Sequence, residues 1–388
     1  SMIWSWYLGH STTIRNFKLR DIKHLPQLFI VMYINGLKNA KLRMNTINAI
    51  KSLPKVELHV HILGSIQPST LLNIINKEGL DTPYKTIDDI SQRFHYTDFV
   101  HFIEVYMEII GYITEEKHFE LITYDMLKKS SECNTRYVEA SFSPIDHMQH
   151  NLNFSKMIHA INRGIERARE SLGIDTNIRI DLVRSSTQEE AMEILDLIES
   201  TPKNIVSIDI GGDETRFPPK PFVEAFDRAR EMGLHLVAHA GEAAGPQSIW
   251  DAIEFLKVER IGHGVTARED PKLVGFLKEK QIGIEMSPMS NVRTRAVESI
   301  QEHPIREFFD RGLLVTVNSD DPSLFHTDLN NEFVQIHRHL GFSIPELYQL
   351  SLNGIKTSFI PETKKIELRK AFSKEYSQIL SQVESKTI

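Results

Sequence analysis

After residue 50 the chain alternates short β-rich runs with long helical patterns, which limits it to folds built from βα units around a parallel sheet. Eight such runs stand out, at 55–62, 135–144, 176–185, 205–214, 235–242, 260–266, 282–288 and 313–322. Helical stretches such as 188–199, 221–232 and 246–256 lie between them. Eight parallel strands with intervening helices predict a closed (β/α)8 TIM barrel, although an open doubly wound sheet fits the same pattern. At 388 residues, 41% of them hydrophobic, the chain is long enough for one barrel with insertions and a large core.

Polarity within the strands points to a site. In the first run Val56, Leu58, Val60 and Ile62 share one face, and Lys55, Glu57, His59 and His61 share the other. Helices must cover the outside of a barrel, so the apolar set is expected outward and the polar set inward. The eighth run repeats this, with Leu313, Val315 and Val317 outward and Thr316, Asn318 and Asp320 inward. A polar interior costs free energy unless something binds there, so the barrel is expected to enclose a polar site.

The segment 65–134, between the first two strands, is longer than one crossover helix needs. Its cluster of Phe94, Phe99, Phe102, Tyr106, Met107 and Ile110 predicts a helical cap with its own small core, part of which can also lid an apolar pocket. Residues 44–388 are assigned to the barrel domain, and residues 1–43 to an N-terminal extension of unassigned role. The longest apolar run there, 28–34, is far short of the roughly 20 residues of a membrane span. Lys18, Arg20 and Lys23 precede it, but no small-residue cleavage site follows. Cys133 is the only cysteine, which fits a reducing compartment and predicts a cytoplasmic protein. A net charge of −7 with mixed signs and no basic stripe argues against a nucleic-acid or membrane partner.

His59-Val60-His61 places two imidazoles on one face of a strand, a spacing that can chelate a first-row metal. His239 ends the fifth run, His263 the sixth and Asp320 the eighth, the rim where barrel enzymes keep their catalytic groups. Glu242 follows His239 by three residues across Gly241. In isolation it reads equally as an acid favoured at a helix N-terminus; beside a metal it becomes a proton shuttle. Asp320 and Asp321 are adjacent and point opposite ways on a strand, so one is expected on the metal and the other toward substrate.

In the order in which they occur, these motifs resemble the adenosine/adenine/AMP deaminase family. The likeness rests on His59-Val60-His61, Gly211-Gly212-Asp213-Glu214, His239-Ala240-Gly241-Glu242, His263-Gly264 and Ser287-Pro288-Met289-Ser290-Asn291. It continues through His303-Pro304-Ile305, Ser319-Asp320-Asp321-Pro322, Asn353-Gly354-Ile355 and Ser358-Phe359. The resemblance implies a (β/α)8 barrel holding one divalent metal per chain, usually Zn2+, on His59, His61, His239 and Asp320. It implies that His263 takes the water proton and steadies the hydroxide, and that Glu242 protonates purine N1. It further implies a Gly212 N–H donor to N3 and an Asp321 partner to N7, which requires Asp321 to hold a proton or use a water.

Two positions depart from the family pattern. Where adenosine-specific members carry Asp two residues after the second histidine, this chain has Leu63, which removes a charge that would repel a 5′-phosphate. An arginine common in the second strand of relatives is replaced by Ser141. The expected partner is therefore a small-molecule purine nucleoside or nucleotide, with Arg184 as one candidate phosphate contact and the oligomeric state open. Adenine or aminodeoxyfutalosine as substrate, a cyclic-amide or phosphoester hydrolase, and an inactive binding barrel are the alternatives. The fourth run has no bridging lysine for a two-metal hydrolase, and one cysteine cannot supply the ligands of nucleic-acid deaminases.

Overall fold

The computed structural model describes residues 45–96, 99–201 and 203–385. The expected extension at 1–43 and the side chain of Phe99 lie outside the described residues. Eight parallel strands run in sequence order: β1 (Lys55–His61), β2 (Thr135–Phe142), β3 (Asp175–Val183), β4 (Ile205–Gly211), β5 (His235–Ala240), β6 (Arg260–His263), β7 (Gly283–Met286) and β8 (Leu314–Val317). Just past β8 a parallel bridge joins Asp320 to Val60. Across it the His61 N–H donates to the Asp320 carbonyl at 2.8 Å, and the Asp320 N–H to the His59 carbonyl at 3.1 Å. This closes the (β/α)8 barrel and rules out an open sheet. The closure uses backbone groups of residues expected to bind metal.

Between β1 and β2 the chain forms α1 (Pro68–Glu78), α2 (Ile87–Arg93), α3 (Phe99–Tyr112) and α4 (His118–Glu132). After β2 come α5 (Phe154–Leu172) and, after β3, α6 (Gln188–Ser200); α7 (Pro288–Arg293) follows β7. The chain ends in α8 (Leu329–Leu340), α9 (Ile344–Thr357) and α10 (Glu362–Ser385). Local chemistry sets these boundaries. Asn153 caps α5 by accepting from the Lys156 N–H, and Gly173 ends it at φ +68°. A reciprocal Thr187–Glu190 capping box opens α6. Phe94, Phe102 and Ile110 of the inserted segment are buried, whereas Met107 is exposed. Among the described residues no helix is long and apolar enough to cross a membrane.

The expected alternation of β1 holds only in its second half. A register shift between Glu57 and Val60 marks a bulge, which reverses the faces of the residues before it. Val56 and Leu58 pack with Tyr137, Ile355 and Phe372, apart from the main core that takes Val60. Lys55 instead reaches the outer layer, where its ammonium donates to the Cys133 carbonyl at 3.1 Å and lies 5.3 Å from the Phe333 ring centroid. Glu57 accepts from the Ser319 N–H at 3.1 Å. Lys55 and Glu57 therefore leave the inward polar set; His59 and His61 remain in it. The eighth strand follows expectation, with Leu313, Val315 and Val317 in the core and Asn318 Nδ2 donating to Thr316 Oγ1 at 3.1 Å.

Candidate active site

At the C-terminal ends of the strands, His59, His239, His263 and Asp320 present ligand atoms that all lie within 4.8 Å of one another. His61, Asp320 and Asp321 form a second, overlapping group. Asp320 Oδ1 is 3.3 Å from His59 Nε2 and 3.2 Å from His61 Nε2. Although Asp320 is near, His59 Nε2 is buried and makes no hydrogen bond, an orphaned lone pair inside the barrel. The Nδ1 atoms turn to acids instead. His59 Nδ1 is 3.0 Å from Glu285 Oε2, His61 Nδ1 is 3.2 Å from Asp181 Oδ2, and His239 Nδ1 is 2.9 Å from Asp209 Oδ2. A carboxylate on Nδ1 keeps the proton there and leaves the Nε2 lone pair for a cation. Imidazoles plus one carboxylate form a donor set suited to zinc and related divalent ions, so the residues fit a bound metal.

Those acids are themselves held by buried cations. Arg179 Nη1 donates to Glu285 Oε2 at 2.7 Å, and its Nη2 lies 3.0 Å from Asp209 Oδ2. Arg260 Nε lies 2.6 Å from Glu285 Oε1. Burial would raise the Glu285 carboxyl, but Arg179 and Arg260 outweigh it and hold it well below the usual range. Burial would likewise raise Asp209, and the charges of His239 and Arg179 hold it down. His59 and His239 thus lean on acids that stay ionised. Ser141 accepts from Arg179 Nε at 2.9 Å, so β3 brings a guanidinium to the second-strand position where the resemblance implies an arginine.

Glu242 sits on a turn organised by a second acid. The Glu214 carboxylate accepts from the backbone N–H of Gly241, from Glu242 at 3.1 Å, from Ala243 at 2.8 Å and from Ala244 at 3.0 Å. Gly241 has φ +72°, and a Cβ there would meet Ile249 at 2.4 Å, so the turn needs glycine. Thr294 donates its hydroxyl to Glu242 Oε1 at 3.0 Å, and Glu242 Oε2 lies 3.5 Å from His263 Nε2. Burial, then the Asp320 charge, pushes the Glu242 carboxyl up to about 7.

A chain of hydrogen bonds sets the His263 tautomer. The Ile305 N–H donates to His303 Nδ1 at 3.2 Å, which leaves His303 Nε2 as the donor to Asn291 Oδ1 at 3.1 Å. The Asn291 amide then donates to His263 Nδ1 at 3.0 Å. Neutral His263 therefore carries its proton on Nε2, the atom facing Glu242. Burial lowers its pKa to about 4, so it is neutral near pH 7. His263 and Asp320 both adopt φ +64°, left-handed backbone that is uncommon for residues other than glycine.

Asp321 is buried, its Oδ1 has no hydrogen-bond partner, and burial followed by Asp320 raises its pKa to about 7. It packs so closely on Gly64 that a Cβ there would stand 1.7 Å from Oδ1. Gly212 adopts φ +99°. Leu63 is 4% exposed and belongs to the main apolar core. Arg184 is not placed to bind phosphate: its buried guanidinium donates to the Phe217 carbonyl at 2.8 Å and to the His239 carbonyl at 2.6 Å. Asp181, Asp209, Glu285, Arg179 and Thr294 escape sequence reading, because none stands at a motif spacing, and Glu214, although it closes the Gly211–Glu214 motif, is assigned no role by it. The one available signal is polar alternation, with Arg179 and Asp181 in β3 and Ser207 and Asp209 in β4.

The adenosine deaminase family profile matches residues 54–375. Adenine deaminase of Acinetobacter baylyi is 34% identical over 322 residues, which is 83% of this chain and 97% of that protein. Relatives at 36% and 32% identity are named aminodeoxyfutalosine deaminase, from Streptomyces coelicolor, and adenosine deaminase, from Clostridium kluyveri. Among solved structures, a Burkholderia ambifaria amidohydrolase with bound Zn superposes at TM-score 0.81 with 25% identity, over 88% of this chain and 95% of its own. An Arabidopsis protein crystallised with GMP gives TM-score 0.75 and 26% identity, over 84% of this chain and 98% of its own.

Proposed function

Because the chain belongs to the adenosine deaminase family, we propose that it hydrolyses the 6-amino group from an adenine nucleoside or nucleotide, using one Zn2+ per chain. The observation that carries this reading is the position of Glu242, a buried carboxyl with pKa near 7 whose Oε2 lies 3.5 Å from His263 Nε2, beside the cluster of metal-competent side chains. His59, His61, His239 and Asp320 would hold the ion, which supplies Lewis acidity to a nucleophilic water.

The remaining chemistry belongs to the chain's own groups. Protonated Glu242 gives its proton to ring N1 as oxygen adds at C6, which keeps negative charge off the ring. The carboxylate so formed accepts a proton from the water and returns it to the departing nitrogen; it then takes the remaining proton from O6, which restores the acid, so purine and water become the 6-oxo product and ammonia. His263, with its proton on Nε2, donates to the attacking oxygen. The tautomer chain supports this donor role over the proton-acceptor role implied by resemblance. In its protonated form, which a pKa of about 7 keeps populated at neutral pH, Asp321 donates to N7, and the Gly212 N–H serves N3. Leu63, buried in the apolar core, brings no carboxylate that would repel a 5′-phosphate. The single buried Cys133 supports a reducing, cytoplasmic setting.

The test is amine release and product absorbance with zinc-loaded protein over adenine, adenosine, deoxyadenosine, AMP, dAMP and N6-methyl-AMP. Turnover of at least one nucleoside or nucleotide is expected. Turnover of adenine alone would instead favour the free-base reading, which the 34%-identical adenine deaminase supports.

A further inference from the structure

Residues 318–320 leave the end of β8 and carry Asp320 to the metal-competent cluster, and β1 laces all three in place. The Leu58 N–H donates to Asn318 Oδ1 at 2.9 Å. The Asp320 backbone pairs with His59 and His61 across the closing bridge. Between these two, Ser319 sends both of its donors to one oxygen of Glu57. Its N–H lies 3.1 Å and its hydroxyl 2.5 Å from Glu57 Oε1. No other acceptor among the described residues takes the Ser319 N–H, so without Glu57 it would be a buried orphan donor.

The bulge of β1 makes this arrangement possible. In an unbroken strand residues 57 and 59 would share a face. The register shift between Glu57 and Val60 instead sends the Glu57 carboxyl to the outer layer, while His59 stays inside the barrel. One strand therefore grips two consecutive residues from opposite sides. Glu57 holds Ser319 from outside; from inside, His59 Nε2 and His61 Nε2 stand 3.3 and 3.2 Å from Asp320 Oδ1. Asp320 needs that grip, because its left-handed backbone at φ +64° is uncommon for a residue other than glycine. Its Oδ2 is fixed separately, by the Ser290 hydroxyl at 2.6 Å. On the outer side Glu57 and Ser319 both border a cavity of about 310 Å3, so there Ser319 meets open space and the carboxyl, not close packing.

We propose that Glu57 is a positioning residue for the metal centre: through Ser319 it sets the backbone of Asp320, and thereby the place where Asp320 presents its carboxylate. This rests on the metal-binding part of the function proposed above and not on the identity of the purine. Glu57 acts by accepting two hydrogen bonds. A side chain of similar length that still offers an oxygen, as in Glu57→Gln, therefore keeps the grip, and one that offers none, as in Glu57→Met, loses it.

The experiment measures Zn2+ affinity by chelator competition, the ligand-field spectrum of the Co2+-loaded protein, and the melting temperature. Wild type, Glu57→Met, Glu57→Gln and Lys55→Met are compared as full chains. Lys55→Met controls for damage to the outer layer, since the Lys55 ammonium serves the carbonyls of Ile50, Lys51, Leu53 and Cys133 and no group of residues 318–320. Glu57→Met is expected to weaken Zn2+ binding by at least about tenfold and to shift the Co2+ bands. Glu57→Gln should stay near wild type, and Lys55→Met should melt lower with its metal affinity kept. Should Glu57→Met fail to fold, Ser319→Ala decides. Zn2+ binding about threefold weaker, with shifted Co2+ bands and recovery in Ser319→Thr, supports the role, and wild-type behaviour overturns it. Unchanged affinity and spectrum in folded Glu57→Met, or an equal loss in Lys55→Met at the same drop in melting temperature, would also overturn it. The expected metal response in a protein that releases amine from no 6-aminopurine would defeat the deaminase reading and leave the positioning role standing. A wild type that takes up neither ion would overturn both.

Discussion

The Glu214 carboxylate accepts the backbone N–H of Glu242 at 3.1 Å, together with those of Gly241, Ala243 and Ala244. One side chain from the loop after β4 thus gathers four donors of the turn after β5 and aims the proposed acid. Glu214→Gln would put an amide N–H against backbone N–H groups in a buried place. It should cost about 1–3 kcal/mol of stability. Displacing Glu242 by a fraction of an ångström should lower kcat by about 10²-fold. Thermal melts and kcat at matched metal content check this; unchanged kcat would mean Glu242 does not depend on Glu214.

The acids behind the histidines make a separate prediction. Asp209 stands 2.9 Å from His239 Nδ1 and Glu285 stands 3.0 Å from His59 Nδ1. Asp209→Asn should weaken metal affinity by about 10–100-fold, as loss of such support does elsewhere. Competition with a chelator of known affinity measures it. An unaltered affinity would show that the His239 imidazole does not need its carboxylate.

Outside the site, pH should move stability through Glu332. This acid is fully buried, accepts from the Met289 N–H at 3.0 Å, and is raised by burial to about 8. Its folded pKa lies above the unfolded value near 4.5, so the folded chain holds an extra proton between those pH values. Stability is then full below pH 4.5 and falls as pH rises toward 8, by about 1 kcal/mol per pH unit from this group. Glu332→Gln should flatten that slope in denaturant titrations from pH 5 to 8. An identical slope in the variant would assign the effect elsewhere.

The barrel and its metal-competent side chains were readable because their spacing repeats. His59 and His61 lie two apart on a strand, and His239, His263 and Asp320 each follow an apolar run. The first half of β1 was not readable. A bulge leaves no mark in an alternating pattern, so Lys55 and Glu57 looked identical in kind to His59 and His61. Glu285, Asp209 and Asp181 were hidden for a different reason: each meets its histidine from a different strand, and sequence separation carries no signal of that contact. Arg184 looked available for phosphate because exposure cannot be read from one residue; two backbone carbonyls already hold it. Leu63 likewise lies in the core, so an acid placed there would test burial as much as substrate charge.

The central claim is that Glu242 transfers the proton while the metal is held by other side chains. Glu242→Gln preserves the shape of the residue and its contact with Thr294, but a neutral amide cannot give a proton to N1. On the best substrate of wild type, the measurement is kcat together with metal content of the same Glu242→Gln sample. The account predicts a full complement of one metal ion per chain with kcat lowered by about 10²–10⁴-fold. Turnover near the wild-type rate, at normal metal content, would contradict it.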